Sequence, residues 1–262
     1  MDTPHILNEI VTAERINVER LKSEVPVSEL QKRIDSQEAP LNLAGALMGD
    51  SIRIIAEVKK ASPAKGLLRQ NFDPVSLANC YVDSGASAIS VLTNQDYFQG
   101  SIDHLDADHN AVSMKRVPIL RKEFIFDPYQ LYEARAYGAD AVLLIVAMLP
   151  QRTLEDLMEI SRELWMQCLV EIHDENELKI ALESGAEIVG INNRDLRTFV
   201  TDIEVTERLA PLVPEGKIIV SESGVSSKND IGKARAAGAH AVLIGEALVT
   251  ADDPGLVLRN LV

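Results

Sequence analysis

The segment IIAEVKK, residues 54–60, is an apolar run that closes on charged side chains, and four later segments repeat its pattern: VPILRKEF (117–124), CLVEIH (168–173), IVGINNRD (188–195) and KIIVSESG (217–224). Interiors of Val, Ile and Leu are typical of parallel strands buried on both faces. A charge in such a strand is costly unless it is paired or reaches the strand end. The repeated strand-end charges therefore indicate one shared site at the mouth of a parallel α/β barrel.

Length and composition favour one (β/α)8 barrel with added helices. The chain has 262 residues, near the roughly 250 of such a barrel, and it is 46% hydrophobic but only 4% aromatic, so aliphatic side chains must fill the core. We predict an N-terminal helical extension over residues 1–48 and the catalytic barrel over residues 49–262. The apolar face of the extension is predicted to carry Ile6, Ile10, Ile16 and Leu21, followed by an apolar stretch from Val27 to Ile34.

An internal repeat supports this architecture. The pattern Gly-Ala-x-apolar-apolar begins at Gly85, Gly138, Gly185 and Gly238, each time between an amphipathic stretch and an apolar run. This is typical of a glycine that ends a helix before a tight turn into a strand. A doubly wound sheet would use the same turns, but the number of strands favours the barrel. Strands are predicted at 52–58, 88–92, 118–122, 141–146, 167–172, 188–192, 217–222 and 241–245, and helices at 74–84, 104–115, 128–137, 151–164, 175–184, 203–210, 228–237 and 254–261.

Charge and cysteine usage restrict the partners. A net charge of -14 argues against nucleic acid or an anionic membrane as the partner. No apolar stretch approaches the roughly 18–20 residues that span a bilayer, and the first residues do not resemble a signal peptide. Cys80 and Cys168 lie within apolar patterns and are interpreted as reduced, buried thiols. We expect a cytoplasmic protein that is a monomer or weak dimer. With this net charge, an anionic ligand would need a local cluster of Lys and Arg.

The strand-end side chains have the spacing of an acid–base site. Residues two apart on a strand share a face, so Glu57 and Lys59 point the same way. The same count turns further polar side chains into the barrel: Lys122, Glu171, Asn192 and Glu222. Alternate strands contribute to one layer of a barrel, and neighbouring ammonium and carboxylate groups shift one another's pKa. A salt-bridge network that merely closes the barrel is the alternative, but the Ser-, Gly- and Asn-rich loops around these residues favour a site.

Two glycines suggest where a phosphate binds. Gly224 follows the seventh strand and Gly245 follows the eighth, the recurrent phosphate location in these barrels. Across the mouth, the segment from Lys59 to Gly66 offers cations and the hydroxyl of Ser62. A single glycine after a strand is more often a turn residue than a ligand site, whereas two such glycines opposite a lysine-bearing loop favour a phosphate site.

These motifs resemble the indole-3-glycerol phosphate synthase family over residues from about 5 to the end. The resemblance is carried by IAEVKKASPAKG (55–66), SVLTNQDYFQGS (90–101), PILRKEFIFDPYQ (118–130), DAVLLIVAML (140–149), LVEIHDENEL (169–178), GINNRDLRTF (190–199) and VSESGV (220–225). It implies a (β/α)8 lyase of tryptophan biosynthesis that needs no metal or organic cofactor. Its substrate would be 1-(2-carboxyphenylamino)-1-deoxyribulose 5-phosphate, which closes a ring with loss of CO2 and water.

The resemblance also implies residue roles. Lys122 would be the general acid and Glu171 the general base, with the rest of the polar site formed by Glu57, Lys59, Asn192, Glu222 and Ser223. Substrate binding would involve Ser62, Gly224 and Gly245 at the phosphate, and Arg194, which would steady a loop. The chain departs from the family at Glu123, where Asp is common, and at Glu246, where Ser is common. An ionised Glu246 cannot donate a hydrogen bond to phosphate.

Several alternatives remain at this stage. Lys122 could instead be the Schiff-base nucleophile of a class I aldolase, or the barrel could be a silent sensor of phosphorylated metabolites. Which lysine serves which proton transfer stays open. Other residues receive plainer interpretations: His104 and His109 with Asp103, Asp106 and Asp108 as solvated surface rather than a metal site, His173 as a neighbour of the site or a surface residue, Trp165 as packing, and Tyr97, Phe98 and Gln99 as either a substrate contact or a folded loop.

Overall fold

The computed structural model describes residues 5–262, so the first four residues of the predicted extension lie outside the described part. Eight parallel strands, each hydrogen-bonded to the next in chain order, close into a barrel through pairing of the last strand with the first. The closed barrel confirms the predicted fold class and excludes the doubly wound sheet. The strands are β1 Arg53–Val58, β2 Ala88–Leu92, β3 Ile119–Lys122, β4 Ala141–Ile145, β5 Gln167–Ile172, β6 Ile188–Asn192, β7 Ile218–Glu222 and β8 Ala241–Ile244, and every end lies within one residue of its prediction.

Helices alternate with the strands and cover the barrel. They are α1 His5–Glu24, α2 Val27–Ile34, α3 Leu43–Ala46, α4 Pro74–Asp83, α5 Gln95–Phe98, α6 Ile102–Val112, α7 Pro128–Ala136, α8 Gln151–Glu163, α9 Glu175–Glu183, α10 Glu204–Leu209, α11 Lys228–Ala236, α12 Glu246–Val249 and α13 Pro254–Leu261. Helix α6 begins two residues before its predicted start because the Ser101 hydroxyl caps it, accepting from the Asp103 amide at 3.1 Å. The sequence did not predict α5, α12 or the short hairpin of Ala61–Ser62 and Gly66–Leu67.

The four repeated glycines end helices, as predicted. Their φ angles lie between 86° and 104°, in the left-handed region that favours glycine. After each one, the alanine amide bonds a carbonyl five residues earlier, as Ala86 does to Tyr81 at 3.0 Å. This is the pattern of a Schellman cap. The repeat therefore marks four equivalent turns at the amino-terminal end of the barrel.

The core has two layers separated by the sheet. Ile54, Ala56 and Val58 face outward and pack under the helices. The other face fills the barrel interior, with Ile55, Leu120, Leu143, Leu169, Val220 and Leu243. This confirms the predicted alternation. Leu43 and Leu47, both fully buried, belong to the interior cluster and close the barrel at the amino-terminal ends of its strands.

The extension packs across the outside of the barrel. Lys22 pairs with Asp127 at 2.7 Å, and Arg33 pairs with Asp106 at 2.6 Å. The Tyr129 hydroxyl donates to the carbonyl oxygen of Val25 at 2.9 Å. Between these polar contacts, Val18 and Leu30 are buried against α7. The extension is therefore held by both apolar burial and specific hydrogen bonds.

The predicted apolar face of α1 is wrong at Ile16, which is 72% exposed. Ile10 is buried as predicted, and the other buried positions are Leu7, Glu14 and Val18, which gives spacings of three and four residues along the helix. The sequence pattern hid this face because one of its four members is a carboxylate. Glu14 lies 3.4 Å from the amide nitrogen of Asn94. Burial, followed by the charge of Glu123, raises the pKa of Glu14 to about 8, although Arg121 opposes the shift.

Three further interpretations need correction. Trp165 does not pack: it is 82% exposed in a left-handed turn. Asp108 is not solvated surface, because it is fully buried and its carboxylate oxygens have no hydrogen-bond partner among the described residues. Cys80 and Cys168 are free thiols but only half-buried. His104 is half-buried and packs its ring against Phe72, with 5.4 Å between centroids. Within residues 5–262, no helix is long and apolar enough to cross a membrane.

We expect a chain that begins at residue 41 to fold but to turn over substrate poorly. It keeps all eight strands together with Leu43 and Leu47, but it loses α1, three residues of which line the cavity described below. Circular dichroism on thermal unfolding, with activity measured on the same sample, checks this. As a contrast, Leu47→Ala in the full chain removes an interior contact and should cost about 2–5 kcal/mol. Failure of the shortened chain to fold would place the extension within the main core.

A Glu14→Gln variant should lose less stability than the parent chain as pH rises from 5 to 9. A carboxyl whose pKa is raised on folding contributes stability below its unfolded pKa, and this contribution is lost as pH rises through the folded value, about 8 for Glu14. The glutamine does not ionise, so its free energy of unfolding should depend less on pH. Urea unfolding at each pH measures this, with the exposed Glu9→Gln as the control. Parallel pH profiles for the parent and Glu14→Gln would contradict the prediction.

Candidate active site

The carboxyl ends of the strands surround a cavity of about 580 Å³. Parallel strands in a barrel all point their carboxyl ends at one mouth, so the predicted site residues meet here although they are far apart in the sequence. All eleven line this cavity: Glu57, Lys59, Ser62, Lys122, Glu171, Asn192, Arg194, Glu222, Ser223, Gly224 and Gly245. The structure thus brings every predicted site residue to one place.

Lys122 is the central charge of the cavity. Its Nζ lies 3.2 Å from Oε2 of Glu171 and also donates to Glu222. Burial by itself would lower the pKa of Lys122, but Glu222, Glu171 and Glu57 raise it above its ordinary value. The side chain is therefore an ammonium ion at neutral pH, held by carboxylates from two other strands.

The pKa values of the two carboxylates around Lys122 are shifted in opposite directions. Burial would raise the pKa of Glu171, but the charge of Lys122 and then that of His173 lower it. For Glu222, burial dominates and Glu171 adds repulsion, so its pKa rises to about 7 in spite of Lys122. Carboxylates whose pKa values are pushed apart in one site can serve as a base and an acid. Here Glu171 is the carboxylate whose pKa is lowered.

A second ion pair stands at the end of β1. Lys59 Nζ lies 2.5 Å from Oε1 of Glu57. Gly245, at the end of β8, has no room for a side chain, because a Cβ there would collide with Glu57 and crowd the Lys59 ammonium. Its φ of -121° is ordinary. Close approach, rather than an unusual backbone angle, is the reason for glycine at this position.

The turn after β7 has two consecutive left-handed residues, Ser223 with φ 65° and Gly224 with φ 79°. Successive backbone amides in such a turn form a concave donor group of the kind that binds anions. Lys65 lies on the hairpin after β1 and pairs with Glu246 at 2.6 Å, across the same rim. Glu246, the residue beside Gly245, is thus paired with a lysine from the opposite side of the mouth.

Asn193 is a residue that sequence reasoning missed. It is buried, and its Nδ2 donates to the Ser223 carbonyl oxygen and to Ser221 Oγ, both at 3.0 Å. Its Oδ1 accepts from the Thr206 amide at 3.0 Å and hydroxyl at 2.8 Å. These four bonds fix the turn after β7 to β6 and α10. The sequence did offer one sign of this role. GINNRD has a second amide side chain, that of Asn193, and the alternation along the strand turns it away from the barrel interior, next to the inward-facing Asn192.

Arg194 holds the loop that follows β6. Its guanidinium donates to the Phe199 carbonyl oxygen at 3.2 Å, and its backbone bridges to Thr201. Phe199 and Thr201 both line the cavity. The contact fits the loop-steadying role implied by the resemblance.

One wall of the cavity is apolar and comes partly from outside the barrel. Helix α1 contributes Ile6, Leu7 and Ile10, while Phe98 and Phe124 stand together with ring centroids 6.1 Å apart. Phe98 therefore faces the cavity, whereas Tyr97 is not among its lining residues. An aromatic ligand ring would find apolar contacts here, and the polar groups lie on the other sides.

No group of three or more His, Cys, Asp or Glu side chains in residues 5–262 is arranged to hold a metal ion. The ammonium groups of Lys59 and Lys122, together with several carboxylates, are side chains that can transfer protons. Cations and backbone amides at one rim suit a phosphate. Together with the apolar wall, they suit a ligand that has an anionic end and an apolar part.

Comparison with known proteins agrees with this chemistry. The family model described as "Indole-3-glycerol phosphate synthase" matches residues 7–261. Indole-3-glycerol phosphate synthase from Dehalococcoides mccartyi strain CBDB1 is 50% identical over 257 residues, covering 98% of this chain and 99% of the relative. The protein of the same name from Roseiflexus sp. strain RS-1 is 49% identical, covering 100% and 98%.

Solved structures share the fold at low identity. Thiamine phosphate pyrophosphorylase from Pyrococcus furiosus superposes with a TM-score of 0.63 at 16% identity, covering 84% of this chain and 96% of that one. The 3-hexulose-6-phosphate synthase from Salmonella typhimurium gives 0.64 at 15%, covering 80% and 96%. At such identities the likeness concerns the barrel alone.

Proposed function

The chain belongs to the indole-3-glycerol phosphate synthase family, and we propose that its cavity converts 1-(2-carboxyphenylamino)-1-deoxyribulose 5-phosphate into indole-3-glycerol phosphate, CO2 and water, with Lys122 as general acid and Glu171 as general base. The observation that carries the proposal is the Lys122 ammonium held between two carboxylates of different pKa at the mouth of the barrel. This arrangement supplies an acid and a base at the same point.

Ring closure needs an acid at the ketone oxygen of the substrate. The aromatic carbon that bears the carboxylate bonds to the ketone carbon, while the carbonyl π electrons move to oxygen. Lys122 gives that oxygen a proton, because it is the ammonium at the centre of the cavity. Loss of CO2 then returns its bonding electrons to the ring and restores the aromatic system.

Dehydration needs a second acid and a base. The hydroxyl formed in the first step leaves as water after it receives a proton, for which Lys59 and Glu222 are both placed in the cavity. Glu171 removes a proton from carbon or nitrogen of the new ring, which completes the indole. The enzyme delivers two protons to the substrate and removes one. When the substrate carboxylate is ionised, each turnover therefore takes up one proton from solution.

The phosphate end of the substrate is assigned to the rim formed by the turns after β7 and β8. Gly224 and Gly245 leave backbone amides open, and Lys59 and Ser62 come from the β1 side. A chain of net charge -14 must attract this anionic substrate locally. The lysines of the rim and the ammonium of Lys122 provide that local positive charge.

The rival functions are less well supported. A Schiff-base lysine must be deprotonated to attack a carbonyl, whereas the carboxylates around Lys122 raise its pKa. A silent sensor would have no need for a poised acid and base. We further propose that the enzyme works in the cytoplasm as a monomer or weak dimer, with a small phosphorylated and carboxylated molecule as its partner and without a cofactor. We also propose that the extension over residues 1–48 is a unit added to the barrel at 49–262, apart from Leu43 and Leu47, which belong to the barrel's interior core.

Indole fluorescence on adding the carboxyphenylamino-deoxyribulose phosphate tests the function directly. We expect product formation in buffer that contains a metal chelator, since the proposed steps use only side chains. Absence of the indole signal from folded protein would refute the proposal. Reduction with borohydride during turnover should leave the protein mass unchanged, whereas a trapped adduct on Lys122 would favour the aldolase alternative.

A Lys122→Met variant should lose turnover by a factor on the order of 10²–10⁴, the usual effect of a lost acid catalyst. The methionine keeps most of the side-chain volume, so the barrel and substrate binding should be roughly retained. Steady-state kinetics and titration calorimetry measure the two effects. Lys115→Met is the matched control, because Lys115 pairs with Asp83 at 2.7 Å on the outer surface. Near-normal turnover in Lys122→Met would remove Lys122 from the acid role.

A Gly224→Val variant should bind the phosphorylated substrate more weakly than the parent does. Its affinity for a dephosphorylated analogue should change little. Valine does not tolerate φ near 79°, and its side chain would collide with Thr201 beside the proposed phosphate site. Gly185→Val is the matched control, because φ there is 86° but nothing lies within 4 Å. Titration calorimetry with both ligands decides the matter. Equal losses for the two ligands would mean that Gly224 serves folding alone.

A further inference from the structure

His173 lies at the end of β5 between two carboxylates. Its Nδ1 is 3.0 Å from Oε2 of Glu177, and the same oxygen accepts the His173 backbone amide at 2.7 Å. Its Nε2 is 3.5 Å from Oε1 of Glu171. The imidazole side chain is only 15% exposed. The ring is therefore fixed from the α9 side and aimed at the proposed base.

The proton on each ring nitrogen follows from these contacts. An ionised Glu177 only accepts hydrogen bonds, so Nδ1 must carry a proton. Nε2 is buried and has no hydrogen-bond partner among the described residues. Without a proton, its lone pair would face the carboxylate oxygen of Glu171. With a proton, the ring becomes a cation next to an anion, so the geometry favours the imidazolium.

The two cations near Glu171 serve different oxygens. Lys122 lies against Oε2, and His173 faces Oε1. Lys122 is shared, because Glu222 also binds it and Glu57 is close enough to affect it. His173 faces Glu177 from α9 and feels Glu222 from β7. Of the two cations that the structure describes beside Glu171, Lys122 is thus bound directly by Glu222, whereas His173 is not.

We propose that His173 is a positioning residue for Glu171: it fixes the plane of the carboxylate and keeps it ionised, and Glu177 orients the imidazole. This inference rests on the proposed base role of Glu171.

The electrostatics agree with the geometry. Burial alone would lower the pKa of His173, but the hydrogen bond to Glu177 and the charges of Glu171 and Glu177 raise it. In return, the charge of His173 lowers the pKa of Glu171, and its effect is second only to that of Lys122 among the neighbouring charges. A base that stays ionised to lower pH extends the acid side of the activity profile.

The first test is the pH dependence of kcat/KM in His173→Gln. Glutamine can still donate a hydrogen bond but carries no charge, so the pKa of Glu171 should rise and the acid limb should move up by about one pH unit. At pH values well above this acid limb, kcat/KM of the variant should return to within a few fold of the value for the parent enzyme. Glu177→Gln should shift the limb in the same direction by less, and His104→Gln, whose histidine packs on Phe72, should not shift it. A loss by the same factor at every pH would mean a merely structural role and would overturn the proposal.

The second test needs no activity. Nitrogen-15 NMR of the imidazoles, with the His173 signal identified by its absence in His173→Gln, gives the pKa of His173 directly. Coupling between two sites is reciprocal, so Glu171→Gln should lower that pKa. An unchanged value would show that the two groups are not coupled, whatever the kinetics. The role of Glu171 is judged separately: if Glu171→Gln retains near-normal turnover, the base assignment fails, while the NMR titration still decides the contact.

Discussion

The arrangement of the site depends on one ammonium ion, that of Lys122, which the barrel largely encloses. Lys122 enters a barrel whose interior is otherwise aliphatic up to the mouth, and an unpaired charge there would cost several kcal/mol. Glu171 and Glu222 pair with it only because β5 and β7 present their end residues inward at the same height as β3. These two ion pairs form only if the strands pair in this register, the barrel closes, and side chains alternate between its two faces. The cluster of charges around Lys122 is therefore a product of the sheet geometry rather than of the loops.

The loops and the extension adjust what the barrel creates. Asn193 fixes the left-handed turn at Ser223 and Gly224, Arg194 holds the next loop, and α1 supplies an apolar wall. The same helix carries Glu14 to the neighbourhood of Glu123, the residue after Lys122. Lys122 thus faces the acidic centre of the cavity, while Glu123, which also lines the cavity, accepts hydrogen bonds from Thr93 and Asn94. The end of β3 therefore contributes to two adjacent polar clusters.

The sequence was sufficient for the strands and for the ring of charges because both follow a period of two. Glu57 and Lys59, or Leu169 and Glu171, could be assigned to one face from their spacing alone. It was insufficient where contacts depend on elements distant in the chain. The pairing of Lys65 with Glu246 and the four bonds of Asn193 required the loops to be placed. Asp108 and Glu14 were misjudged or unseen because a carboxylate is expected in water, and Trp165 because a large aromatic ring is expected in the core.

Closure of the barrel also bears on how the chain folds as it is made. Strand β1 has β8 as one of its two neighbours, and the Arg53 amide donates to the carbonyl oxygen of His240 at 2.9 Å. One edge of β1 thus stays open until almost the whole polypeptide has been synthesised. Strand pairs of such large sequence separation form slowly, and exposed edges of incomplete sheets promote association between chains. A nascent chain that stalls before β8 would expose two such edges, so quality control by chaperones should act most strongly on products that lack only the last few tens of residues.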